Sequence, residues 1–176
     1  MKPEILTDMD GVIADQMSRV FEIIEQEDGI SLCHYDVQDY WFKDMAVEPG
    51  RIIDIFRRDG FYRELNVVTG AVHAINRLRR DFDVRVCSQP MKGAANCEGE
   101  KRSWLAHHFD QEFADSAIIT NDKTSVPGDV LIEDNPDIAR NAAWKAIIFD
   151  QPWNRNVTDL DVMHGWGDIG VVYAAV

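Results

Sequence analysis

Glu4-Ile5-Leu6-Thr7-Asp8-Met9-Asp10-Gly11-Val12 is a short apolar run that breaks into two carboxylates and a glycine. The run reads as a buried first strand, which places Asp8 and Asp10 at its carboxyl end, where open α/β sheets bind their ligands. Two acids so close repel each other, and an open site keeps both ionised at neutral pH when a cation or several donors offset the repulsion. Mg²⁺ is the simplest offset: it is held by one or two carboxylates, with water and substrate phosphate completing its shell. An Asp also serves as a nucleophile toward phosphorus while a second acid protonates the leaving oxygen. Gly11 lets backbone approach a phosphate. Taken alone, the segment also fits a surface Asp-Gly turn. An EF-hand loop does not fit, because Gly11 comes too early and no ligands follow at alternate positions.

Working outward, Met17, Val20, Phe21, Ile23 and Ile24 predict an amphipathic helix over 16–27, with a stop at Asp28-Gly29. An aromatic loop with Tyr35, Tyr40, Trp41 and Phe42 precedes a second helix, from about Glu48 to Asp59-Gly60. No strand pattern appears between Asp15 and Asn66. From Gly70 the pattern becomes helix, then the alternating strand Val84–Ser88, then a helix near 100–109. Apolar runs at 117–119, 130–132 and 146–149 read as buried strands, with a helix over 136–143. Strands alternating with helices indicate a largely parallel sheet. The chain therefore reads as an α/β core interrupted, just after its first strand, by a helical insert.

A 176-residue chain fits one domain with an inserted module. The net charge of -13 disfavours a nucleic-acid polymer or an anionic membrane surface as partner, while a small anion carrying its own metal ion is compatible with it. Three cysteines without a Cys-x-x-Cys pair, and an N-terminus too quickly acidic for a signal peptide, predict a soluble cytoplasmic protein with reduced thiols. Gly165 to Gly170 matches Gly-x-Gly-x-x-Gly, but too little chain follows for a dinucleotide site, so it reads as a C-terminal turn.

Three further features fall at expected strand ends: Ser88, Lys123, and the pair Glu133-Asp134. Each is ordinary alone. Together a hydroxyl and an ammonium that hold phosphate oxygens, with a late acid that completes a Mg²⁺ site, form a phosphoryl-transfer set. The ordered series Asp-x-Asp-Gly-Val, Ser, Lys, acidic pair resembles the haloacid dehalogenase superfamily. The resemblance implies a Rossmann-like α/β core with a mainly parallel sheet and a small helical cap inserted after the first strand: core 1–15 and 67–176, cap 16–66. It also implies roles. Asp8 is the nucleophile, Asp10 the general acid and base, Ser88 orients the phosphoryl group, and Lys123 neutralises it. Mg²⁺ is bound by the Asp8 carboxylate, the Asp10 carbonyl and the Asp134 carboxylate.

Below superfamily level the chain resembles the 5′(3′)-deoxyribonucleotidases, through Asp8–Asp15, Val86-Cys87-Ser88-Gln89-Pro90, Gly99-Glu100-Lys101-Arg102-Ser103-Trp104, Asp122-Lys123-Thr124 and Asp129–Asp134. This implies Mg²⁺-dependent hydrolysis of deoxynucleoside monophosphates such as dUMP and dTMP through an aspartyl-phosphate, and it leaves a homodimer open. Departures are Gln89 where a second small hydroxyl is usual, Glu133 in place of Asp, and Gln16 in place of an aromatic that walls the base pocket. Trp41, Phe56 and Phe61, with Tyr40 or Phe42 as a neighbouring register, are the expected base-binding rings, and Gln89 the expected phosphate and base contact. The rivals are a phosphatase for other small phosphomonoesters, since the core motifs do not read the leaving group, and a non-catalytic module that binds a nucleotide or a protein.

Overall fold

Ile5 and Leu6 are both fully buried, although they point to opposite faces of their strand. Only a strand with covered faces on both sides accommodates that. In the computed structural model, which describes residues 2–176, they form β1 (Glu4–Thr7). β2 (Ala14–Asp15), α1 (Gln16–Asp28), α2 (Pro49–Phe56), β3 (Asn66–Val67), α3 (Ala71–Asp81), β4 (Asp83–Ser88), α4 (Cys97–His108) and α5 (Gln111–Ser116) follow. The chain ends with β5 (Ile118–Ile119), β6 (Val130–Glu133), α6 (Pro136–Asn141), β7 (Lys145–Phe149), β8 (Asp161–Met163) and α7 (Gly170–Ala175).

Six strands make one sheet in the order β5-β4-β1-β6-β7-β8, with every neighbouring pair parallel. From β1 the chain first builds outward on one side (β4, β5) and then on the other (β6, β7, β8). β1 is thus flanked by strands from two opposite windings, and the crevice at its carboxyl end is the topological switch point. Ile5, Val130, Ile132 and Ile147 face the larger core, whereas Leu6, Cys87 and Leu131 face a thinner layer with Ile138 and Ala142.

The segment between β2 and β3 carries α1 and α2. At its base these two short strands pair antiparallel, Ala14 with Val67 and Asp15 with Asn66. Asp15 also caps α1, its carboxylate accepting from the Ser18 N–H at 3.1 Å, and Gly29, at φ 69°, ends that helix. The return of the segment is pinned from α4. The Trp104 indole donates to the Leu65 carbonyl at 2.7 Å, and the buried Glu100 carboxylate accepts from the backbone N–H groups of Gly60 (2.5 Å) and Tyr62 (3.1 Å).

The structure adds elements that the residue pattern does not show. β2, β3 and β8 are two or three residues long, and α5 and α7 six each, too short to express a period. The run at 117–119 pairs only through Ile118 and Ile119. The glycine-rich stretch at 165–170 is more than a terminal turn. It leads into α7, and Trp166, buried, donates its indole N–H to the Val12 carbonyl at 2.8 Å, bracing the acidic loop from the far end of the chain. Among the described residues no helix is long and apolar enough to cross a membrane.

Candidate active site

The Asp8 N–H donates to the Ile132 carbonyl at 2.8 Å, carrying the β1–β6 ladder one residue past the strand. The chain then turns sharply, with the Met9 carbonyl accepting from the N–H groups of Ile13 and Ala14, each at 2.9 Å. Gly11 sits at φ 76°, in the left-handed region, and a Cβ there would collide with the Asp134 carboxylate. Both facts require glycine, and both follow from bringing the first acidic loop against the last.

Two lysines are buried among the acids. The Lys123 ammonium, 2% exposed, lies 2.8 Å from Asp8 Oδ2 and 2.7 Å from Glu133 Oε2. Burial alone would lower its pKa, but the charges of Asp8 and Glu133 outweigh that and hold it well above the ordinary range. Lys101, fully buried, donates to Asp10 Oδ2 (2.5 Å), Ser88 Oγ (2.9 Å) and the Gln89 carbonyl (2.7 Å). Sequence reasoning used Lys101 only as part of a family marker and assigned it no role. The available signal was a charge on the inner face of an amphipathic helix, in register with Cys97, Trp104 and Leu105.

Carboxylate oxygens of Asp8, Glu133 and Asp134 all lie within 4.8 Å of one another. Burial, then the neighbouring negative charges, push Glu133 up to about 7 and Asp134 well above the usual carboxylate range. Burial and the Asp8 charge likewise raise Asp10, against the opposing pull of Lys101. Glu133 is committed, with Oε2 on Lys123 and Oε1 accepting from the Asn135 N–H at 3.1 Å. Asp134 is not: its Oδ2 is buried without a partner. A buried, unpaired carboxylate is costly, and an all-oxygen donor set of this kind fits a hard divalent cation. A divalent cation at 100 times its Kd should therefore raise the melting temperature by roughly 5–10 °C. Asp134→Asn should remove that response without lowering the metal-free melting temperature, because it relieves repulsion; calorimetry with EDTA and with MgCl₂ checks both.

The acids open into a cavity of about 320 Å³. Asp8, Asp10, Ser88, Gln89 and Lys123 line its floor, and Tyr40, Trp41, Phe42, Phe56, Tyr62 and Trp153 contribute rings. Of the expected aromatics, Tyr40, Trp41, Phe42 and Phe56 line the cavity, Trp41 as a 59% exposed ring. Phe61, also expected, does not line this cavity. It is buried behind Phe56, ring centroids 5.4 Å apart in a T-shaped contact, and Tyr62 takes the cavity wall instead. The chain tightens into a 3₁₀ turn at Tyr62–Glu64, so Phe61 points into the core. Gln16 lines the cavity despite being no aromatic, and Trp153 supplies a face that the residue pattern did not place. Gln89 Nε2 donates to the Asn121 carbonyl at 3.0 Å, which ties down the residue after Ser88.

A family model described as 5′ nucleotidase, deoxy (pyrimidine), cytosolic type C protein matches residues 2–175. The chain belongs to this family. A Bordetella bronchiseptica protein named provisionally as a 5′(3′)-deoxyribonucleotidase is 36% identical over 168 residues, 88% of this chain and 87% of the relative. The mouse mitochondrial 5′(3′)-deoxyribonucleotidase is 29% identical over 179 residues, 93% and 81% of the two chains. A Bacillus subtilis haloacid dehalogenase-type hydrolase solved with magnesium bound shares the fold, with a TM-score of 0.56 at 12% identity over 98% of this chain and 99% of that one. This member of the deoxyribonucleotidase family is thus a phosphoric monoester hydrolase of the nucleotidase type on a haloacid dehalogenase fold. Its three buried acids, Asp8, Glu133 and Asp134, form a group that could hold a metal ion.

Proposed function

We propose that the protein is a Mg²⁺-dependent 5′(3′)-deoxyribonucleotidase that hydrolyses deoxynucleoside monophosphates such as dUMP and dTMP. The observation that carries this reading is that one cavity has a phosphoryl-transfer floor and an aromatic wall. In this reading 16–66 is the cap that presents the rings, and 1–15 with 67–176 is the catalytic core.

Asp8 attacks phosphorus. The Asp8 oxygen–phosphorus bond forms as the bond from phosphorus to the nucleoside oxygen breaks, and a proton held on Asp10 passes to that leaving oxygen. Water then attacks the aspartyl-phosphate and gives its proton to Asp10, releasing phosphate and restoring the Asp8 carboxylate. Lys123 faces the charge that accumulates on the phosphoryl oxygens. Ser88 accepts from Lys101, so its own O–H remains free to donate to the phosphate. The Asp8 and Asp134 carboxylates and the Asp10 carbonyl would hold Mg²⁺, which would offset the repulsion between an anionic nucleophile and an anionic substrate.

The rings give the leaving group its identity. Stacking a base is worth about 1–3 kcal/mol. Trp41→Ala should therefore lower kcat/KM for dUMP by roughly 5- to 150-fold while leaving p-nitrophenyl phosphate nearly unaffected. An apolar wall rejects an added 2′-hydroxyl by only about a hundredfold, so weak turnover of UMP is expected. The assay is phosphate release from dUMP, dTMP, dGMP, UMP and glucose 6-phosphate, with and without Mg²⁺. Metal-dependent preference for the deoxypyrimidine monophosphates supports the reading, and equal turnover of glucose 6-phosphate overturns it in favour of a general phosphomonoesterase.

A further inference from the structure

Lys101 is the feature that the catalytic scheme leaves without a task. It is fully buried, and a lysine in that state is seated by its partners rather than by solvent. An ammonium has three donors, and here all three have acceptors: Asp10 Oδ2, Ser88 Oγ and the Gln89 carbonyl. The Tyr62 ring covers it, with Nζ 4.9 Å from the ring centroid. No N–H is left for a substrate phosphate. Lys123, by contrast, has two partners, Asp8 and Glu133, and keeps one donor free to face the phosphate.

The way Lys101 holds its acceptors is selective. It takes one oxygen of Asp10, Oδ2, and so fixes the carboxyl plane, while Oδ1 is buried without any hydrogen-bond partner. It takes a lone pair of the Ser88 hydroxyl and leaves the O–H free. We infer that Lys101 is a positioning residue: it locks the Asp10 carboxyl in one orientation beside the cavity and the Ser88 hydroxyl turned to donate. The adjacent Glu100 seats Tyr62, through its N–H, over the same ammonium, so one turn of α4 holds both the acid and the ring that covers it.

This inference rests on the assignment of Asp10 as the group that protonates the leaving oxygen, and leaving groups separate the two. An alkoxide leaves only with a proton, whereas p-nitrophenolate leaves without one. kcat/KM reports the steps through phosphoryl transfer to Asp8, so its ratio between the two ester types reads acid assistance directly. Lys101→Met should lose on the order of 100-fold in kcat/KM for dUMP, the lower range for general acid catalysis, but no more than about tenfold for p-nitrophenyl phosphate, with KM for dUMP nearly unchanged. Lys101→Arg keeps the charge but replaces a compact donor with a planar fork, and should shift the ratio the same way by a smaller factor. Where Lys101→Met does not fold by circular dichroism, the arginine variant carries the comparison.

Equal losses on both esters would reduce Lys101 to a packing residue and overturn the inference. A wild-type protein that cleaves another alkyl phosphate but no nucleotide overturns the substrate reading alone, and the same ratio measured on that ester then decides Lys101. A wild-type protein that cleaves no phosphomonoester overturns both.

Discussion

Asp8→Asn should lower the rate of phosphate release by roughly 10⁵-fold or more, the scale of removing a nucleophile from other covalent hydrolases. The substitution keeps shape and removes both the charge and the attacking lone pair. Asp8 lies 6% exposed at the switch point of the sheet, its Oδ1 accepting from the Met9 N–H at 2.7 Å and its Oδ2 against Lys123 at 2.8 Å. An amide oxygen still serves one of those donors, and one of three crowded acids becomes neutral, so the fold is retained. Phosphate release and thermal melting on the same preparation test this pair of outcomes. Acid-quenched wild-type enzyme should carry phosphate from labelled substrate, and the variant none. Residual turnover within tenfold of wild type would remove Asp8 as the nucleophile.

Lys123→Met should cost about 3–5 kcal/mol of stability, because it leaves two buried carboxylates, Asp8 and Glu133, without their shared cation. For a chain of this size that is a fall of roughly 6–20 °C in melting temperature, measured in EDTA. The double variant Lys123→Met with Glu133→Leu should recover much of the loss, since replacing both members of a buried ion pair with apolar groups is often neutral. Activity should not recover: losing a cation placed to face transition-state charge costs on the order of 10³-fold. A melting temperature unchanged in the single variant would show that the two carboxylates do not depend on Lys123.

The α/β order, the buried first strand and the acidic loop were legible in the residues, because they depend on short-range features. A buried parallel strand is an unbroken apolar run, and the residue after its end lies at the ligand-binding edge whatever else the chain does. Asp8, Asp10, Ser88, Lys123 and Glu133-Asp134 all lie at such an end or in the loop just beyond it, and the family resemblance gave their expected order. Legibility failed where length or rotation mattered. β8 and α7 are too short to carry a period, yet α7 lies beyond the turn whose Trp166 braces the acidic loop. Phe61 and Tyr62 are equally aromatic neighbours, and only the tight turn that begins there decides which of them walls the cavity.

By itself, then, the sequence determined which groups stand at the ends of the central strands, because parallel α/β order places them there one strand at a time. Tertiary structure alone decided what each of those groups touches. Lys101 meets Asp10 across 91 positions of chain, and Gly11 meets Asp134 across the β1–β6 junction. A buried charge takes its partner from whichever element packing brings within about 3 Å, and no local pattern encodes that choice.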